Sequence, residues 1–166
     1  MKTLTCLFMA WALQMTALAV EMAELSQQPA VIEVAQMEPI PLGVSDGKKT
    51  WSSVPNGLAN HGAVIYKPLR DHLGVADITV KQAGYLLLAC NYDYQGNDSG
   101  DWQKQVWNER RFRNKGWKVI KPSDLGGNLI QSDGRAQVVF YKKVAAGDRL
   151  VLRCNKYDPP YPILLK

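Results

Sequence analysis

The runs YLLLACNY (Tyr85–Tyr92) and RLVLRCNK (Arg149–Lys156) decide the fold. Each carries leucines at alternate positions and then a cysteine in the same phase: Leu86, Leu88 and Cys90; Leu150, Leu152 and Cys154. Successive side chains of a strand point to opposite faces, so this spacing puts each set on one apolar, core-facing side. Outward from these two runs lie further short apolar stretches, near Trp51 and at residues 63–69, 75–82, 117–122 and 136–144. All are rich in Val, Ile, Leu and Tyr and bounded by Gly, Asn and Pro. The segment Ala145–Asp148 (AAGD) separates the last two at hairpin-like spacing. About seven strands without alternating helices predict an all-β fold, an antiparallel β-sandwich of jelly-roll type.

One short helix is expected to interrupt the strands around residues 101–114. This stretch lacks Gly and Pro, is rich in Gln, Lys, Glu and Arg, and stops before Gly116. Asp98, Ser99 and Asp101 are candidate caps for its start.

At 166 residues the chain has room for one ordinary domain. Its first residues read as a secretory signal: Lys2, an apolar run from Leu4 to Met15, then Ala17-Leu18-Ala19 with cleavage after Ala19. An uncleaved anchor is the alternative; no later apolar stretch approaches bilayer length. The division expected is a signal at 1–19, a flexible tether at 20–41 closed by Pro39 and Pro41, and a single domain at 42–166. Localisation is then secreted, periplasmic or cell-envelope. Loss of Cys6 with the signal leaves Cys90 and Cys154 in an oxidising compartment, so a Cys90–Cys154 disulfide is expected. Two separately buried thiols are its alternative.

The formal net charge is +5, and basic residues concentrate between Trp102 and Lys121. There Lys104, Arg110, Arg111, Arg113, Lys115, Lys118 and Lys121 stand against the single acid Glu109. Such a stripe suits a solvated helix face or a polyanion. For an exported chain the polyanion is an acidic glycan or anionic polysaccharide rather than nucleic acid.

The loop between Cys90 and Trp102 (CNYDYQGNDSGDW) concentrates the candidate chemistry. Asp93, Asn97, Asp98 and Asp101 offer the hard oxygens that Ca²⁺ prefers, but counting from Asp93 puts Asp98 and Lys104 where an EF-hand needs Gly and Glu. An irregular Ca²⁺ site is the one calcium reading left, and no cofactor is expected. Turn and cap chemistry accounts for the same residues. His61 and His72 are the only histidines, and no cysteine pair has zinc spacing. No nucleophile elbow or phosphate loop is present. Paired carboxylates of this loop would suit glycoside hydrolysis, though acidic loops commonly contain such pairs. The aromatics Tyr92, Tyr94, Trp102, Trp107 and Trp117 sit among Asp, Asn, Gln and Arg. Flat rings beside polar groups match the apolar faces and hydroxyl rims of sugars, although they equally pack between helix and sheet.

The order GYLLLACNYDYQGNDSGDW, then KGWKVI, then VVFYKKVAAGDRLVLRCNKYDPPYPIL resembles small secreted β-sandwich domains of planctomycete-type bacteria. Trp102, Gly116-Trp117 and Ala146-Gly147-Asp148 carry the likeness, which spans residues 45 to 164. The resemblance implies a β-sandwich found alone or beside sialidase-like and other glycan-degrading modules, and carries no catalytic residue over.

The function expected is a noncatalytic exported module that binds carbohydrate. Tyr94, Trp102 and Trp107 would stack on sugar rings, and Asp98, Asp101 and Arg110 would hydrogen-bond hydroxyl or acid groups. The competing readings are a glycan hydrolase using the carboxylates of residues 93–101 and a structural cell-envelope protein.

Overall fold

The computed structural model describes residues 22–42, 51–69, 75–91, 109–153 and 160–166, and for residues 91, 109–111 and 153 the backbone only. In chain order the strands are β1 (Val31–Ala35), β2 (Met37–Pro41), β3 (Trp51–Ser53), β4 (Val64–Pro68), β5 (Val75–Gln82) and β6 (Gly84–Asn91). They continue as β7 (Lys118–Ile120), β8 (Leu129–Gln131), β9 (Ala136–Val144), β10 (Arg149–Arg153) and β11 (Tyr161–Leu164). The helical turns are α1 (residues 22–27), α2 (Asn56–Ala59), α3 (Glu109–Asn114) and α4 (Pro122–Leu125).

The strands form two antiparallel sheets, as an all-β sandwich requires. The smaller has three strands in the order β1-β5-β10. The larger runs β2-β4-β11-β6-β9-β8-β3, with β7 pairing β9 beside β8. Between the sheets lies one apolar core, to which Ile32 and Val34 of β1, Ile78 and Val80 of β5, and Leu86, Leu88 and Cys90 of β6 contribute. Leu152 of β10 and Phe140 of β9 join the same core.

A second core lies on the opposite face of the larger sheet, beneath α1, α2 and α4. It gathers Leu25, Leu58, Ile65, Leu87, Ala89, Leu125, Val139 and Ile163. Strand β6 is thus buried on both faces, which is why its sequence is an unbroken apolar run rather than a polar–apolar alternation. The larger sheet curls over this second core: Trp51 of β3, at one end of the strand order, meets Tyr161 of β11 edge-on, ring centroids 6.0 Å apart. Helices α2 and α4 cross closely enough that a Cβ on Gly57 would lie 2.8 Å from the Leu125 carbonyl oxygen.

Residues 20–41 are expected as a flexible tether, but their described part, 22–41, is folded with the domain, and the folded part does not begin at Leu42. Strand β1 pairs β5 throughout its length, and β2 pairs β4 from Met37↔Pro68 to Pro41↔Val64. The chain passes from the smaller sheet to the larger at Gln36, which takes φ 60°. The prolines read as domain-entry signals lie in β2, the terminal strand of its sheet, where a missing N–H costs no ladder bond. Pro162 sits deeper, in β11, but pairs only with Leu88 of β6; pairing to β4 starts at Ile163.

The AAGD segment is likewise not a hairpin turn. Strand β9 pairs β6 while β10 pairs β5, so residues 145–148 carry the chain from one sheet to the other. The turn is held by the Asp148 carboxylate accepting from Ala145 N–H at 2.9 Å, and by Gly147 N–H donating to the Val80 carbonyl at 2.9 Å.

Candidate functional site

The residues chosen from sequence fall mostly beyond what the structure describes. Tyr94, Asp98, Asp101, Trp102 and Trp107, and the calcium candidates Asp93 and Asn97, lie outside the described residues, as do Cys154 and the signal at 1–19. Arg110 is placed on α3 by its backbone. Among the described residues no group of His, Cys, Asp and Glu is arranged to hold a metal, and no helix is long and apolar enough to cross a membrane.

Helix α3 ends as its sequence requires. Gly116 takes φ 80°, and Trp117 N–H donates to the Phe112 carbonyl at 3.0 Å, closing the last turn. Phe112 anchors the helix: it is fully buried, stacks on Phe140 at 4.5 Å and meets Trp117 edge-on at 5.9 Å. Trp117, 2% exposed, is therefore a core residue and not part of a sugar-stacking shelf.

The turn after α3 delivers Lys118 to a groove that sequence reading missed. Antiparallel register places Lys118 of β7 opposite Tyr141 of β9, and Lys143 of β9 opposite Tyr85 of β6. All four fall on the same face of the larger sheet, because 85 is in phase with 87 and 143 with 141. The Lys118 ammonium stands 5.6 Å from the centre of the Tyr141 ring, and that of Lys143 5.6 Å from the Tyr85 ring. Each contact is worth about 0.5–1 kcal/mol at an exposed site and holds a cation at a fixed place. The Tyr85 hydroxyl donates to Glu24 of α1 at 2.6 Å, which ties the helix to the groove wall. Lys142 turns away and donates to the Lys115 carbonyl at 2.9 Å.

With Leu25 and Gly116 these residues enclose about 460 Å³. The tyrosine faces are covered by ammonium groups rather than bare. Among the described residues neither Lys118 nor Lys143 has a carboxylate within ion-pair distance. Among the described residues the groove carries three lysines, Lys118, Lys142 and Lys143, against the single carboxylate of Glu24, so its balance is positive and attracts anions through Coulomb forces screened over about 8–10 Å. A signal for it was present in FYKK, residues 140–143, where period two puts an aromatic and a lysine on one face.

A second feature lies inside the curl. Gln131 of β8 and Gln137 of β9 are 3% and 7% exposed, in phase with the apolar Leu129 and Val139 of the second core. The Gln131 Oε1, both polar atoms of the Gln137 amide, and the Trp51 Nε1 are buried without a hydrogen-bond partner among the described residues. Each such atom costs about 1–3 kcal/mol. Polar residues in an apolar phase are legible in the sequence, but the register that gathers these three is not.

The fold and groove together define an all-β sandwich with a cationic, tyrosine-floored face. Comparison with protein-family models, with curated proteins and with solved structures finds no match to this chain. Its function is therefore read from the chemistry of its own residues.

Proposed function

We propose that the protein is an exported, noncatalytic binding module for an acidic carbohydrate. The observation that carries this reading is the pairing of Lys118 with Tyr141 and of Lys143 with Tyr85 on one face of the larger sheet. Uronic-acid or sulfated chains present carboxylates or sulfates beside apolar ring faces, and the groove offers ammonium groups above aromatic carbon. The net charge of +5 favours the same class of partner over long range. In the finer form of the proposal, Tyr94, Trp102 and Trp107 add ring stacking, and Asp98, Asp101 and Arg110 add hydrogen bonds. A Cys90–Cys154 disulfide belongs to the same proposal, although among the described residues no disulfide is present and Cys90 is a buried thiol of the inter-sheet core.

The experiment is binding to polygalacturonate, with neutral dextran as the control. Affinity for the acidic polymer should fall as salt rises, and Lys118→Glu with Lys143→Glu should abolish it. Equal binding to dextran, or indifference to the double substitution, defeats the reading. Trp102→Ala tests the finer form, since it should weaken binding without removing its salt dependence.

A further inference from the structure

We propose that Glu24 sets the specificity of the cationic groove: its carboxylate accepts hydrogen bonds from the free hydroxyls of a polyuronate and turns away polyanions that carry none. The inference rests on the reading of that groove as a site for acidic carbohydrate, and narrows it from acidic chains in general to sugar acids with unsubstituted hydroxyls. Among the described residues Glu24 is the one carboxylate that lines the groove, against Lys118, Lys142 and Lys143. It is exposed, as are Lys118 and Lys143. Toward a bare polyanion this carboxylate is a repulsive element, the kind of group by which a site rejects a wrong partner.

The carboxylate is held in place from three sides. Leu25, its neighbour on α1, is 1% exposed within the second core and pins the helix to the sheet. Beyond α1 the chain pairs with the backbone of Tyr85 itself: Tyr85 N–H donates to the Gln28 carbonyl at 2.7 Å, and Ala30 N–H donates to the Tyr85 carbonyl at 3.0 Å. The same Tyr85 donates its hydroxyl to Glu24 Oε1 at 2.6 Å, the short length of a charge-assisted bond. The other carboxylate oxygen, Oε2, has no hydrogen-bond partner among the described residues.

These contacts divide the groove by hydrogen-bond sense. An ammonium group only donates, and an ionised carboxylate only accepts. With its proton directed at Glu24, the Tyr85 hydroxyl turns lone pairs to any ligand. Acid groups of a ligand therefore belong beside Lys118 and Lys143, and its hydrogen-bond donors belong beside Glu24. A sugar acid carries both on one ring, a carboxylate for the lysines and hydroxyl protons for the glutamate. Polyphosphate, or a chain whose hydroxyls are all substituted, brings the anion without the donor. Glu24 then meets it with repulsion that no hydrogen bond offsets.

The test measures binding of the full chain, at one ionic strength, to polygalacturonate, to O-acetylated polygalacturonate of the same carboxylate content, and to inorganic polyphosphate. The parent should bind the native polymer about tenfold or more tighter than the acetylated one, the loss expected when a hydrogen bond to a charged group is removed. Glu24→Ala should bring those two affinities together and raise the affinity for polyphosphate. Glu24→Gln, the second variant should the first fail to fold, keeps an acceptor without the charge and should also raise the affinity for polyphosphate. Three results overturn the inference: all three affinities fall in step, as they would if Glu24 only tied α1 to the sheet; the acetylation loss persists in Glu24→Ala, and so reflects bulk; or polyphosphate binding is unchanged in either variant. In each of these the groove reading stands, provided that Lys118→Glu with Lys143→Glu abolishes polygalacturonate binding. A parent that binds none of the three polymers, or is indifferent to that double substitution, sinks the groove reading and this inference together.

Discussion

Replacing Phe112 by alanine tests how the fold holds its cationic groove. The ring is fully buried, stacked on Phe140 at 4.5 Å and edge-on to Trp117 at 5.9 Å. Removing it forfeits about 1.5–3 kcal/mol of transfer free energy. Two aromatic contacts add about 0.5–1.5 kcal/mol each. Together these reach the roughly 3–5 kcal/mol observed for Phe→Ala in protein cores. Against a typical total stability of about 5–15 kcal/mol, that is a large share. The substitution also loosens the turn through Gly116 and Trp117 that delivers Lys118 to Tyr141. Urea unfolding should therefore show an unfolding free energy lower by about 3–5 kcal/mol, read as a lower midpoint at an unchanged slope, together with weaker polygalacturonate binding. Phe112→Leu, which keeps more of the volume, should cost much less. A loss below about 1 kcal/mol for Phe112→Ala would refute the anchoring role, since full burial of a Phe ring is worth more than that.

Other consequences follow from contacts between and within the sheets. Hydrogen bonds from the Arg149 guanidinium, with its charge adding, hold the Asp77 carboxyl below the ordinary aspartate range. A depressed carboxylate stabilises the fold above its unfolded pKa and loses that contribution as pH falls through its folded pKa, so the window opens below about pH 4. Asp77→Asn should flatten the acid limb of urea midpoints measured across that window, and an unaltered limb would count against the pair. A Cβ on Gly84 would lie 2.5 Å from the Gln28 carbonyl oxygen and 2.6 Å from the Ala30 nitrogen. Gly84→Ala should thus cost about 1–3 kcal/mol and speed hydrogen exchange at Ala30, whose N–H donates to Tyr85; unchanged exchange there would mean that residues 28–30 do not depend on the close approach. Non-reducing mass spectrometry of the exported protein should find Cys90 and Cys154 joined, with reduction lowering stability by about 4 kcal/mol for a loop of this length; two alkylatable thiols in the exported protein would exclude the bond.

Much of the framework is written locally. The phase of Leu86, Leu88 and Cys90 places them in the inter-sheet core, and Gly116 ends α3 where only a left-handed residue fits. The same local grammar failed at β1 and β2. VIEVA alternates buried and exposed side chains as a strand should, but five residues beside two prolines look like a linker until β5 and β4 supply partners. It failed again at AAGD, where turn chemistry fixes that the chain reverses but not which sheet it rejoins.

The candidate sites divide the same way. The sequence determined that this chain is all-β, that its basic residues gather after position 102, and that Tyr141 and Lys143 share one phase of β9. These are properties of single segments, set by strand periodicity and composition. Only tertiary structure decided that Lys118 stands over Tyr141 and Lys143 over Tyr85, and that Gln131, Gln137 and Trp51 share one buried face. Those meetings depend on strand order and register between segments far apart in the chain. A shift of one residue in register would turn each side chain to the opposite face.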